Sequence, residues 1–151
     1  FFKFILPGYN LRPIEMSGAI GQEQLYKLPD FISQRRENAK LIQEVFNNNK
    51  YIKLQKEIGK SSWFGFSLTM KEPKILSREK FKKILITNGF EVRPVVTGNF
   101  TKQPVIKLLN TEHFDHFPNA NYLNENSLFI GNHHFNMDEA INKLSNLNLK
   151  I

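Results

Sequence analysis

From Pro13 to Leu28, apolar side chains fall at Ile14, Ala19, Ile20, Leu25 and Leu28, with Glu15, Gln22, Glu23 and Gln24 between them. That spacing is helical rather than alternating, and Pro13 suits a first helical position because its φ is already fixed. Gly18 and Gly21 sit inside the pattern. Each costs about 1 kcal/mol relative to Ala in a helix interior, so a close contact surface is expected to compensate. Pro29 interrupts, and Asp30 opens a second helix carrying Phe31, Ile32, Ala39, Ile42, Val45 and Phe46, stopped by Asn47-Asn48-Asn49. The pattern predicts two helices meeting at a bend.

Tyr51 to Gln55 and Ser62 to Met70 read as strands. The second alternates Trp63, Gly65, Ser67 and Thr69 against Phe64, Phe66, Leu68 and Met70, which predicts one firmly apolar face. Ser77 can cap a helix running through Asn88, with Phe81, Ile84 and Leu85 inward and Gly89 as its stop. A strand is expected from Phe90 to Val96, a loop-rich stretch from Thr97 to Pro118, and a short strand from Leu128 to Ile130. Asn136 and Glu139 are spaced as a capping box for a last helix through Leu147, with Ala140, Ile141 and Leu144 on one face. Helices that lead, then strands alternating with single helices, predict an α+β fold: a small antiparallel or mixed sheet with helices packed on one face.

The 151 residues suit one domain, and 40% apolar content with fourteen Phe excludes wholesale disorder. No repeat or low-complexity tract divides the chain. It begins at Phe1 with an oily run, Phe1, Phe2, Phe4, Ile5 and Leu6, and is read as a fragment of a longer protein. No apolar stretch approaches the roughly 20 residues of a membrane span. A soluble domain is expected. There is no Cys, which excludes disulfides, thiolate metal sites and Cys nucleophiles and permits a reducing, cytoplasmic location. Lys and Arg total 21 against 14 Asp and Glu, a formal net charge of +7 that favours phosphate-bearing partners.

Basic residues cluster over Lys71 to Lys83 and over Lys50 to Lys60, but no aromatic interleaving of the kind a single-strand binder uses accompanies them. They read as solvated faces, and no nucleic-acid partner is expected. Phosphate-binding Gly-rich loops, the zinc-protease helix and the nucleophile elbow are all missing, so catalysis by this chain alone is not expected. His113 and His116 read as surface loop residues. His133 and His134, as neighbours on a strand, would point to opposite faces and suit one metal ion poorly.

Three segments depart from generic scaffold. Gly8-Tyr9-Asn10-Leu11-Arg12-Pro13 places an amide and a guanidinium just ahead of a helix, a setting suited to phosphate. In Glu91-Val92-Arg93-Pro94-Val95-Val96-Thr97-Gly98-Asn99-Phe100, a carboxylate and a guanidinium two apart on a strand share one face and run into a polar loop. Such a pair could grip both the hydroxyls and the diphosphate of a sugar nucleotide. Leu128 to His134 is a strand ending in Gly and three side chains able to donate hydrogen bonds. Each has a plainer reading: Asn10 or Asn132 closing a turn or strand, Arg12 pairing with Glu15, and Glu91 pairing with Arg93 or a Lys.

The run from Gly8 to Gly21, followed by Gln24-Leu25, Lys27-Leu28-Pro29 and Arg35 to Ala39, resembles the start of the C-terminal domain of the DegT/DnrJ-type nucleotide-sugar aminotransferases and dehydrases. These are fold type I, vitamin B6-dependent proteins related to aspartate aminotransferase. Ser61 to Ser67, Arg93 to Phe100 and Gly131-Asn132-His133 resemble its pyridoxamine-phosphate-dependent 3-dehydratase branch, which acts in deoxysugar and O-antigen biosynthesis. The resemblance runs from about Gly8 to Leu147.

It implies that residues 1–151 are a single small domain, with 1–28 including the link to a large cofactor-binding domain. It implies a homodimer in which Asn10 reaches the phosphate of pyridoxamine or pyridoxal 5′-phosphate in the other subunit. Arg12, Glu91 and Arg93, and by extension Asn99, His133 and His134, would approach the nucleotide-diphosphate sugar. The implied chemistry condenses the cofactor amine with a 4-keto sugar, expels the C3 hydroxyl, releases ammonia and regenerates the amine from glutamate. In this branch a His replaces the Schiff-base Lys, but it lies in the large domain, so no catalytic residue is expected among the four His here. A nucleotide-sugar aminotransferase and a non-catalytic basic binding domain are the competing readings.

Overall fold

A computed structural model describes residues 3–10, 14–112 and 116–149. One helix, α1 (Glu15–Phe46), leads into the short strand β1 (Ile52–Lys53) and then β2 (Gly65–Met70). Helix α2 (Arg78–Thr87) and two 3-10 turns, Phe100–Lys102 and Pro104–Leu108, precede α3 (Pro118–Asn126), β3 (Ser127–Gly131) and α4 (Asp138–Ser145). The strands form one antiparallel sheet in the order β1-β2-β3.

Register explains the core. Leu68 lies opposite Leu128 and Phe66 opposite Ile130, so period-2 alternation puts the large apolar side chains of both strands on one face. That face packs with Ala39, Ile42 and Phe46 of α1, Phe81 and Leu85 of α2, and Ile141 and Leu144 of α4 in a single cluster. Polar contacts finish the other side: Thr69 and Ser127 hydroxyls lie 2.9 Å apart. Gln55 continues the edge beyond β1 with its side chain, donating to the Gly65 carbonyl and accepting from Ser67 N–H. The expected small antiparallel sheet with helices on it is therefore present.

Several boundaries differ, each for a local reason. α1 is continuous through Pro29 rather than two helices at a bend. A helical proline removes one hydrogen bond, here from the Leu25 carbonyl, but this part of α1 is exposed and solvent can serve that group. Gly18 and Gly21 have nothing within 4 Å of where a Cβ would stand, so the expected close contact is not formed among the described residues. The β2 alternation fails at its start. Trp63 adopts φ 54°, which turns its side chain inward to 5% exposure and leaves Phe64 68% exposed. Trp63 then stacks on Phe66 at 5.2 Å.

The expected strand Phe90 to Val96 is reduced to one antiparallel bridge, Arg93 to Phe129, because Pro94 has no N–H to continue the ladder and Val96 takes φ 40°. Ser77 caps α2 as expected, accepting from Lys80 N–H, and Gly89 follows at φ 84°. The capping box at α4 does not form. Asn136 accepts from Asp138 N–H, and Glu139 pairs with Lys143 instead. α3 has no buried residue, so no apolar period announced it.

Candidate functional site

The first candidate segment leaves the fold from the loop that holds the second. Phe4 N–H donates to Gln103 Oε1 at 3.1 Å, the Phe4 carbonyl accepts from Val105 N–H, and the Phe4 and Phe100 rings meet edge-on at 5.7 Å. From there the chain runs exposed through Tyr9 to Asn10, which makes no hydrogen bond to another described residue. Arg12 and His113 lie outside the described residues.

Glu91 and Arg93 do share a face. Arg93 donates from Nε and Nη2 to Glu91 Oε1, at 3.0 and 2.6 Å. Both side chains are more than half exposed, so the pair contributes little to stability and remains accessible. The backbone beneath is fixed by reciprocal hydrogen bonds between Arg93 and Phe129. Gly98 then turns the loop at φ 58°, where a Cβ would stand 2.5 Å from Asn124 Cα, so only glycine fits. Asn99 is 5% exposed and used inside the fold: it donates to Asn121 Oδ1 and accepts from the backbone and hydroxyl of Thr101.

His133 and His134 sit in a bend beyond β3, not on the strand, and their ring centroids are 4.4 Å apart. The expectation that they diverge is thus corrected: strand geometry ends at Gly131. His134 lies against Phe31 and His133 against Phe135, at 4.0 and 3.8 Å. Loss of hydration, then the neighbouring His134 and Arg35, push the His133 pKa below its ordinary value. No group of three or more His, Asp or Glu among the described residues is placed to hold a metal ion.

Two buried amides hold this bend. Asn38 of α1 donates to the carbonyls of His133 and Phe135, and Asn132 donates to those of Arg35 and Trp63. Asn38 was missed in the sequence. Its signal was a polar residue at helical spacing with Ile42 and Phe46, in a position otherwise reserved for core.

Glu91, Asn132 and His133 border one open recess of about 690 Å³, together with Phe90, Met137 and Lys143. Arg93 instead lines a smaller cavity of about 140 Å³ with Arg78 and Lys82, two cations that sequence reading placed on a solvated helix face. The structure therefore joins the second segment to the third through Glu91 and His133. Asn99 and Asn10 stand apart from that recess.

A small antiparallel sheet with helices on one face is the fold this chain shares with PLP-dependent, aminotransferase-like proteins. Residues 1–146 match the model of the DegT/DnrJ/EryC1/StrS aminotransferase family, and the chain belongs to that family. It is 49% identical over 147 residues to the GDP-4-keto-6-deoxy-D-mannose 3-dehydratase of Yersinia pseudotuberculosis, covering 97% of this chain and 37% of that protein. Among solved structures, a GDP-4-keto-6-deoxymannose-3-dehydratase with a trapped PLP-glutamate geminal diamine matches with TM-score 0.85 and 47% identity, over 97% of this chain and 38% of that one. A mutant of the same enzyme with bound GDP-perosamine matches at 0.86 and 47%, over 99% and 39%. The chain thus spans between a third and two fifths of the length of these relatives.

Proposed function

We propose that this chain is the C-terminal small domain of a pyridoxamine/pyridoxal 5′-phosphate-dependent nucleotide-sugar 3-dehydratase, which removes the C3 hydroxyl of a 4-keto-6-deoxy sugar. The observation that carries the reading is 49% identity, sustained over 97% of the chain, to a protein of that named activity. Residues 1–28 include the link to a large domain. The apolar side chains that α1 leaves exposed, Ile14, Met16, Ile20 and Leu25, are the surface that domain would cover.

The residues present fit the cofactor and substrate. Asn10 has amide donors, is exposed and makes no hydrogen bond to another described residue, as a contact to the cofactor phosphate of a partner subunit in a homodimer requires. Glu91 can accept a sugar hydroxyl while Arg93 takes an anionic oxygen, and their mutual pairing holds both in place before substrate arrives. His133 borders the same recess as Glu91, with the His134 ring beside it, and Asn99 fixes the loop beyond Arg93. When bound, the cofactor supplies an amine for the ketone and an electron sink for loss of the hydroxyl, and glutamate restores the amine. This chain's residues bind and orient; none of them moves the proton.

The test is product analysis with the full-length protein, pyridoxal phosphate, glutamate and GDP-4-keto-6-deoxymannose. The expected outcome is a sugar lacking the C3 hydroxyl, with ammonia and 2-oxoglutarate formed in equal amounts. An amino sugar that keeps its C3 hydroxyl, with no ammonia released, would replace this reading with an aminotransferase.

A further inference from the structure

We propose that Arg78, Lys82 and Arg93 form a recess for the diphosphate of the nucleotide sugar. The ligand class rests on the nucleotide-sugar reading above, but the recess does not depend on which reaction follows. These three cations, with Val92, Pro94 and Leu128, line a cavity of about 140 Å³, and no acidic side chain lines it. Arg78 and Lys82 stand one helical turn apart on α2, the i and i+4 spacing that puts both on one face. Converging like charges repel, and an anion between them turns that repulsion into attraction.

Each cation retains capacity for a ligand. Arg78 is steadied by donating from Nη1 to the Asn124 carbonyl at 3.0 Å, yet its Nε is buried with no hydrogen-bond partner. A buried donor without a partner costs free energy that a phosphate oxygen would recover. Lys82 is half-buried and makes no hydrogen bond or ion pair to another described residue. Arg93 spends Nε and Nη2 on Glu91, which leaves Nη1 for an anion. The carboxylate of Glu125, which follows Asn124 in α3, is taken by Lys102.

A second cavity, of about 260 Å³, adjoins the first and shares Arg78 and Pro94. Thr97, Gln103 and Asn124 line it, together with the backbone of Gly98. Hydroxyl and amide groups beside a cationic recess suit a diphosphate bonded to a hydroxylated ring rather than a bare inorganic anion.

Calorimetric titration of the full-length protein with GDP, and separately with inorganic pyrophosphate, tests the assignment. Lys82→Met keeps the aliphatic stem and leaves α3 anchored by Arg78, so it carries the test where Arg78→Met could disturb the fold. Lys82→Met is expected to weaken GDP binding about ten-fold, the scale of one lost charge-assisted hydrogen bond. Lys56→Met, which removes an equal charge from the other basic run, should change it by less than roughly two-fold if charge acts locally. Equal losses for the two variants, or none for Lys82→Met, would overturn the recess and leave the nucleotide-sugar reading intact. Pyrophosphate binding through Lys82 with no GDP binding by the wild-type protein would overturn both.

Discussion

The two halves of α1 obey different rules. All four of its buried residues, Asn38, Ala39, Ile42 and Phe46, lie in the C-terminal half, against the sheet and α4. The N-terminal half carries apolar side chains just as readily, but Ile14, Met16, Ile20, Leu25 and Leu28 are all exposed. One helix is thus core at one end and unpartnered surface at the other. Hydrophobic period reports that a face wants burial, not whether the same chain supplies the cover.

Substitutions in the two halves should separate sharply. Ile42→Ala, in the buried half, removes a side chain that is 1% exposed and should cost about 2–5 kcal/mol in chemical denaturation of this chain. Ile20→Ala, in the exposed half, should change stability by less than about 0.5 kcal/mol. Similar losses for the two would mean that the N-terminal half is covered within the chain, and the contrast would disappear.

Asn38 sharpens the comparison because it is polar and yet belongs to the buried half. Asn38→Ala strips the hydrogen bonds from two carbonyls of the His133 bend and should cost about 2 kcal/mol, the scale of a buried polar group left unsatisfied. Amide exchange at His134 and Phe135 should quicken at the same time. Unchanged stability and exchange would show that the bend holds without α1.

What the sequence made legible follows the same division. The apolar face of β2, the Ser77 cap and Gly89 stop of α2, and the single-faced sheet all rest on local periods and caps, and they stand as read. The breaks occurred where a backbone angle or a distant partner decides. Trp63 and Val96 at positive φ reverse or end strands that alternation extends, and nothing in residue type announces those angles. α3 buries none of its residues and carries no apolar period. In the candidate site, Glu91 and Arg93 were legible because they are two apart on one face. Arg78 and Lys82 were not, because their meeting with Arg93 depends on how α2 packs beside β3.

The smallest effect is the titration of the His133 bend. Its imidazole is exposed, yet partial loss of hydration and the nearby His134 and Arg35 lower its pKa, so the fold favours the neutral ring. The sign follows from linkage. A His whose folded pKa lies below the unfolded value of about 6.5 gives its full contribution to stability above that value, and loses it as pH falls through the folded pKa. Proton NMR of the His133 ring should therefore show a midpoint below 6.5. Arg35→Gln should move that midpoint upward by removing one of the charges that oppose protonation. His133→Gln should flatten the slight decline in stability expected of the wild-type chain as pH falls through that window. A wild-type midpoint at or above the ordinary value would mean that the bend leaves the His133 ring hydrated and its neighbouring charges screened.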